Sequence, residues 1–149
     1  MTRWALAVTA GSLICLLTTL GHSDGVQIGQ IKTLQGEVQI VRGNTSRPAS
    51  LGDLLEAADT LSTGPDSSIG ITFIDNSRFA IGPNSRIALK DFRFNPTTQE
   101  GQFLTEVQRG SLAVLSGQIA KRSPEAMQVK TPTTILGVRG TTFAVQVTE

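Results

Sequence analysis

Apolar and polar residues alternate along most of the chain beyond residue 24, which is the pattern of β-strands with one buried face. Clusters of Gly, Pro, Asn, Asp and Ser separate the alternating segments at intervals of about 8–12 residues. This pattern predicts an all-β single domain of about 10 short, mostly antiparallel strands, arranged as a β-sandwich or a compact β-roll. The alternating apolar positions are Val38 and Ile40; Ile69, Ile71 and Phe73; Phe79 and Ile81; Ile87 and Leu89; Leu112 and Val114; Met127 and Val129; Phe143, Val145 and Val147.

Every second residue of each alternating segment is expected to face the core, because successive side chains of a strand point to opposite faces of the sheet. Residues 54–58 have some helical character but form too short a stretch for a stable helix. The predicted core consists of Ile69, Ile71, Phe73, Phe79, Ile81, Leu112, Val114, Val129, Phe143 and Val145.

The turn residues of the central region predict local strand pairing. Asp75 and Asn76 both tolerate a positive φ, so they predict a hairpin that pairs residues 69–74 with residues 78–82. The following Gly-Pro-Asn-Ser turn predicts a third strand over residues 87–90, which would complete a meander. A further strand is predicted over residues 102–108, ending at a turn formed by Arg109 and Gly110.

Residues 1–23 have the three parts of a secretory signal peptide. Arg3 supplies a positive charge, an uncharged and mainly apolar run extends to Leu20, and the small residues Gly21 and Ser23 suit cleavage. An uncleaved membrane anchor is the alternative, but an apolar run of about 17 residues lies at the lower limit for spanning a bilayer. The sequence therefore predicts a signal peptide at 1–23, an all-β domain at 24–149, a periplasmic or secreted location, and no stable membrane span after cleavage.

The predicted signal peptide contains Trp4, Cys15 and His22, each the single residue of its type, and the chain has no Tyr. The predicted domain therefore offers no disulfide, thiolate nucleophile, Cys/His zinc site or histidine acid–base catalyst. The net charge is +1 and the charges are dispersed, so the sequence has no basic patch of the kind that binds nucleic acid. Carboxylates alone can hydrolyse glycosides, but sugar sites also use aromatic platforms. The aromatic residues left for that role include Phe92, Phe94 and Phe103. We therefore expect no enzyme, cofactor, bound metal or nucleic-acid partner.

Two sets of residues have both a chemical and a structural interpretation. The Thr-Gly-Pro-Asp-Ser-Ser segment at 63–68 could bind an anion through backbone N–H groups, although a plain turn is favoured. Asp53, Asp59 and Asp66 could suggest calcium, but they are more widely spaced than the ligands of a calcium loop. Turn and capping roles are therefore favoured for these carboxylates.

Several motifs, in the same order along the chain, resemble the FecR protein domain family. The resemblance extends over roughly residues 31–147, and each motif alone is weakly specific whereas the ordered set is specific. Asn76 stands where the family usually has Gly, and it still suits a hairpin. The motifs are Gly36-Glu-Val38, Leu51-Gly-Asp53, Asp59-Thr-Leu-Ser-Thr-Gly-Pro-Asp-Ser-Ser68, Asp75-Asn-Ser77, Ile81-Gly-Pro-Asn-Ser85, Gly110-Ser-Leu-Ala-Val114, Val129-Lys-Thr-Pro132 and Val138-Arg-Gly-Thr141 with Phe143 and Val145.

The resemblance implies an all-β extracytoplasmic module, without the cytoplasmic sigma-regulator segment or membrane helix of the best-known members. In those members the domain is the periplasmic part of a regulator that connects an outer-membrane siderophore transporter to a cytoplasmic sigma factor. The leading functional expectation is a non-catalytic interaction module of envelope signal transduction with a protein partner in the envelope. One alternative is FecR-type regulation of iron–siderophore uptake with a separate membrane partner. The other is a structural or surface-adhesion domain.

The last alternating segment predicts a strand over residues 141–147 that could serve partner binding or self-association by β-addition. An edge strand offers unpaired N–H and C=O groups to a strand of another protein, whereas a central strand would be paired on both sides. The preceding segment, 138–141, could touch a ligand, or could begin the strand with a bulge at Gly140 and an ion pair from Arg139. The candidate interaction residues are Arg139, Gly140, Thr141, Phe143 and Val145.

Overall fold

The structure, a computed structural model, describes residues 25–139 and 141–148, which form β-strands with little helix. The predicted signal peptide lies outside the described residues. The strands are β1 (Gln27–Gln35), β2 (Val38–Arg42), β3 (Thr45–Pro48), β4 (Leu54–Glu56), β5 (Thr60–Thr63), β6 (Ser68–Phe73), β7 (Arg78–Ile81), β8 (Arg86–Phe94), β9 (Gly101–Leu115), β10 (Met127–Lys130), β11 (Ile135–Gly137) and β12 (Thr142–Val147). A short helix, α1 (Gln118–Arg122), and a 3₁₀ turn, Pro124–Ala126, connect β9 to β10.

All of these strands belong to one curled sheet of 12 strands. The 15-residue strand β9 runs through the whole sheet and pairs with four other strands. The first part of β9 pairs with β8 and, in parallel, with β10, whereas its second part pairs antiparallel with β7 and β12. Half-sheet 1 consists of β4, β1, β6, β7, the second part of β9, and β12; half-sheet 2 consists of β3, β2, β5, β8, the first part of β9, β10 and β11. The predicted all-β, mostly antiparallel fold is confirmed.

The core lies between the two half-sheets and is centred on a cluster of phenylalanines. Phe73 and Phe79 come from half-sheet 1, and Phe92 and Phe103 come from half-sheet 2. The Phe103 ring lies 4.8 Å from Phe73, 5.1 Å from Phe79 and 4.7 Å from Phe92, measured between ring centroids. Such contacts are favourable for aromatic rings and bury a large apolar area.

The predicted core residues are buried, with one exception. Phe143 is half-buried and packs against the core cluster without being part of it. It lies on β12, and β12 pairs on one side only among the described strands, so no neighbouring strand covers the far side of its ring. The expectation of a fully buried Phe143 was therefore wrong, whereas Val145 on the same strand is 9% exposed.

The predicted hairpin at Asp75 and Asn76 is present, but the predicted meander is not. β6 and β7 pair antiparallel, and Asn76 has a φ of 66° in the turn between them. However, β8 pairs with β5 and β9 on half-sheet 2 rather than with β7. The turn at 82–85 therefore carries the chain from one half-sheet to the other, and a turn motif alone does not reveal which neighbour the next strand will take.

The predicted turn at Arg109 and Gly110 is a bend inside β9. Gly110 has a φ of 85°, and a Cβ there would lie 2.5 Å from the Cα of Ser85. The Ser85 hydroxyl accepts a hydrogen bond from the Ser111 backbone N–H (3.0 Å) and donates one to the Pro83 carbonyl (3.1 Å). Only glycine fits this close approach at a positive φ, so β9 continues through the bend and enters half-sheet 1.

A second turn of the same construction lies beside the first. The Ser67 hydroxyl accepts a hydrogen bond from the Glu37 N–H (2.9 Å) and donates one to the Pro65 carbonyl (3.0 Å). Gly36, which precedes Glu37, has a φ of 73°. The Thr63 hydroxyl joins the two turns, because it accepts from the Ser85 N–H (2.9 Å). The hydroxyls of Thr63 and Ser67 are thus engaged in hydrogen bonds to backbone groups of the two turns, which supports the plain-turn interpretation of residues 63–68.

The two ends of the curled sheet are connected by side chains. Arg42, at the end of β2, donates from Nε and Nη2 to the two carboxylate oxygens of the fully buried Asp59 (2.8 and 2.7 Å). Its Nη1 donates to Glu56 on β4 (2.8 Å). The hydrogen bond to Asp59 raises the pKa of Arg42 above its usual value. Arg42 therefore joins half-sheet 2 to half-sheet 1 at the point where the backbone pairing stops.

Candidate functional site

The structure brings four of the five candidate interaction residues together at β12, and Gly140 lies outside the described residues. Arg139 and Thr141 are exposed, whereas the side chains of Phe143 and Val145 face the core. Among the described residues no carboxylate forms an ion pair with Arg139. The exposed part of this strand therefore consists of its outward side chains and its backbone edge.

The pairing of β12 with β9 determines which backbone groups point away from the sheet. The Ser116 N–H donates to the Thr141 carbonyl (2.7 Å), in register with the ladder that pairs Thr142 with Leu115. Hydrogen-bonded and non-hydrogen-bonded pairs alternate in an antiparallel ladder. Residues 143, 145 and 147 therefore bond to β9. The N–H and C=O groups of Thr142, Ala144 and Gln146 point to the opposite side.

This outward edge of β12 is unpaired within the described chain, because the strand has β9 as its one partner there. Its six residues, Thr-Phe-Ala-Val-Gln-Val, include no charge, proline or glycine. Natural proteins usually protect an edge strand with a charge, a proline, a bulge or a very short length. β12 has none of these protections.

The other strands with a single described partner, β3, β4 and β11, do carry such protections. β3 includes Arg47 and Pro48. The Ala49 N–H donates to the Val38 carbonyl, and because hydrogen-bonded and non-hydrogen-bonded pairs alternate, the backbone of Pro48 points away from β2, to the open edge. β4 and β11 have 3 residues each, and Arg42 also approaches the Leu54 carbonyl of β4 (3.4 Å). β12 is therefore the best template for strand addition in the described chain.

Beside this edge, the outer face of half-sheet 1 carries a row of very small side chains, which we call the alanine row. Gly70, Ala80, Ala113 and Ala144 lie directly opposite one another on β6, β7, β9 and β12. The three alanines are exposed. A shallow depression of about 540 Å³ lies over the row and reaches Gln146 at the open edge. The outer face beside the open edge is therefore flat at this row.

Charge is distributed unevenly between the two outer faces. On half-sheet 1, the row next to the alanine row contains Thr72, Arg78, Leu115 and Thr142, so Arg78 is its single charge. On half-sheet 2, Lys90 pairs with Glu106 (3.6 Å) and Arg93 with Asp91 (3.3 Å). The outer face of half-sheet 2 therefore carries paired charges, whereas the row beside the alanine row on half-sheet 1 carries one charge.

The three aspartates considered for calcium have other partners. Asp59 binds Arg42, and Asp66 lies in an exposed turn with a φ of 53°. Burial raises the pKa of Asp53, but hydrogen bonds from the Ser50 N–H (2.8 Å) and Arg47 (2.7 Å) outweigh it and lower that pKa below its usual value. Across residues 25–139 and 141–148, no three His, Cys, Asp or Glu side chains are grouped to hold a metal ion.

The aromatic residues considered for sugar stacking are part of the interior. Phe92 is 6% exposed and Phe103 is fully buried, while Phe94 packs against the border of the core. Phe103 therefore belonged in the predicted core, where its alternation with Thr105 and Val107 would have placed it. The described helices are also too short to cross a membrane.

Comparison with known proteins identifies a family. The model of the family described as "FecR protein" matches residues 59–149, which include every strand from β5 to β12. A solved structure described as "Cell surface anchoring domain" is 34% identical over 45% of this chain and 90% of its own, with a TM-score of 0.43. Comparison with curated proteins gives no match.

Proposed function

The chain belongs to the FecR protein family, and on that basis we propose that it is a non-catalytic extracytoplasmic module that binds a protein in the cell envelope. Its role would be to bind that protein as part of signal transduction in the cell envelope. Regulation of iron–siderophore uptake through a separate membrane protein is the narrower form of the same proposal. The identity of the bound protein decides between the broad and the narrow form.

The observation that carries this proposal is the unprotected outer edge of β12. The outward N–H and C=O groups of Thr142, Ala144 and Gln146 can form a ladder with a strand from another chain. The neighbouring alanine row keeps the outer face flat beside that edge, so side chains of the added strand would lie next to small side chains there. A binding mode of this kind needs no catalytic side chain, which agrees with the structural roles of the buried Asp59, Ser67 and Ser85.

Photo-crosslinking in intact cell envelopes tests the proposal. A photoreactive residue in place of Ala144 is expected to give a specific product with an envelope protein, because this position lies in the middle of the open edge. The matched control places the same residue at Lys90, which is exposed on the charged half-sheet. Equal products from both positions, or none from Ala144, would show that β12 is not the contact site.

The location is tested separately at the N-terminus. Because Arg3, the apolar run and the small residues before position 24 have the pattern of a signal peptide, the exported protein is expected to begin near Asp24. N-terminal sequencing of the protein recovered from a periplasmic or culture-medium fraction measures this directly. A protein that keeps Met1 and sediments with membranes would instead indicate an anchored module.

A further inference from the structure

We propose that the strand that pairs with β12 is β12 of a second copy of this chain, related to the first by a two-fold axis. The inference rests on the proposed function, since it names the partner of the same edge. It would join half-sheet 1 of one copy to half-sheet 1 of the other as a continuous antiparallel sheet.

Symmetry and the hydrogen-bond alternation restrict the register of such a pair. A two-fold axis normal to the sheet makes β12 pair with itself antiparallel and keeps the outer face of both copies on the same side. With Ala144 opposite Ala144 of the second copy, Thr142 lies opposite Gln146. All three outward-pointing residues then form hydrogen-bonded pairs, and none of them is left unpaired.

The side chains of β12 are complementary to themselves in this register. On the core side, Phe143 lies opposite Val145 of the second copy, which is a favourable pairing of an aromatic with a β-branched residue. The second copy also covers part of the Phe143 ring, which one copy alone leaves half-buried. No like charges meet, because β12 has no charged residue from Thr142 to Val147.

The other edges of the chain fit β12 less well. β3 places Pro48 outward, where it cannot donate, and β4 and β11 are too short to match six residues. Contacts of β12 with these strands would also be heterologous, and they would build a ring or a filament rather than a two-fold dimer. Pairing of β12 with itself closes at two copies. A dimer is therefore expected, of modest affinity because one strand pair buries less than a standard interface.

Sedimentation equilibrium of the purified protein from about 10 μM to about 1 mM is expected to show a monomer–dimer equilibrium. Ala144→Pro removes one outward N–H from each copy and leaves the bonds of residues 143 and 145 to β9 in place. It is expected to weaken dimerisation at least about tenfold. The matched control is Ser46→Pro, which removes an outward N–H from the edge of β3 and is expected to leave dimerisation unchanged.

A second variant covers the case in which Ala144→Pro does not fold. Ala144→Lys keeps the backbone ladder and places two ammonium groups beside each other at the two-fold axis, so it is also expected to weaken the dimer, by up to about fivefold. Circular dichroism shows whether each variant is folded. If a folded Ala144→Pro or Ala144→Lys dimerises like the parent protein, the contact is elsewhere and the inference is wrong.

Disulfide trapping tests the register. In a Cys15→Ala background, Ala144→Cys is expected to form a cross-linked dimer on mild oxidation, since directly opposed residues of a hydrogen-bonded pair lie about 5.5 Å apart between Cα atoms. Ala113→Cys is the matched control, because it is exposed in the same alanine row but lies on β9, one strand from the edge. Equal trapping at both positions would indicate random collisions and would contradict the register.

The outcomes separate this inference from the proposed function. A protein that stays monomeric up to about 1 mM, yet cross-links from position 144 to a different envelope protein, overturns the second-copy inference and leaves the interaction module standing. A dimer that forms through β12 in solution supports the inference. The absence of any product from position 144 in the envelope would contradict the proposed function, whatever the purified protein does.

Discussion

Phe103→Ala is expected to lower the free energy of unfolding by about 3–5 kcal/mol, the range for removing a large buried aromatic side chain. Phe103 is fully buried, and its ring touches those of Phe73, Phe79 and Phe92. Because these rings come from both half-sheets, the cavity would open at the place where the curled sheet packs onto itself. Urea denaturation followed by circular dichroism measures the change.

Phe143→Ala is the matched control for this prediction. It removes the same side chain from a half-buried position on β12, so its cost is expected to be clearly smaller than that of Phe103→Ala. Equal losses for the two variants would mean that the phenylalanine cluster is not the centre of the core, and that β12 is more deeply packed than its position indicates.

The strands were predictable from sequence because alternation is a local property. The segments around Ile69, Phe79 and Leu112 needed only the period of two to place their apolar residues inward. The hairpin at Asn76 was predictable for the same reason, since a two-residue turn signal and its strands lie within one short stretch. Local chemistry of this kind determines where strands occur and which face they bury.

The pairing of distant strands was not predictable in this way. Gly110 and the turn at 82–85 looked like reversals of the chain, yet both carry it between half-sheets. The reason is tertiary, because Ser85 hydrogen-bonds to Ser111 across 26 residues and the backbone at Gly110 must approach it closely. A glycine with a positive φ is compatible with a turn and with a bend in a strand, and only the partner distinguishes them.

The candidate site was predictable in part. Alternation indicated a C-terminal strand with Phe143 and Val145 on one face, but the direction of its backbone groups depends on its register with β9. Only with that register do Thr142, Ala144 and Gln146 emerge as the residues that can bond to another strand. The alanine row could not be predicted either, because strand pairing brings together Gly70, Ala80, Ala113 and Ala144, most of which lie far apart in the sequence.

The buried carboxylate of Asp59 is the second position where a single change is expected to have a large effect. Its oxygens accept hydrogen bonds from Arg42 and from the Glu56 N–H (2.9 Å), with no contact to solvent. Arg42→Met would remove the cation and leave a buried negative charge. This is expected to cost about 3 kcal/mol of unfolding free energy, the lower end of the range for breaking a buried ion pair, because Arg42 itself is 41% exposed.

A double-mutant cycle shows whether the charge is the cause of that loss. Asp59→Asn in the Arg42→Met background removes the buried charge and keeps an oxygen acceptor for the Glu56 N–H, so it is expected to restore part of the lost stability. Arg47→Met is the control, since its partner Asp53 is more exposed and surface ion pairs contribute about 0–1 kcal/mol. If Arg42→Met costs no more than Arg47→Met in urea denaturation, the ends of the curled sheet are joined by packing rather than by Arg42. A large loss that Asp59→Asn does not relieve would place the effect in the lost contacts to Glu56 and Leu54.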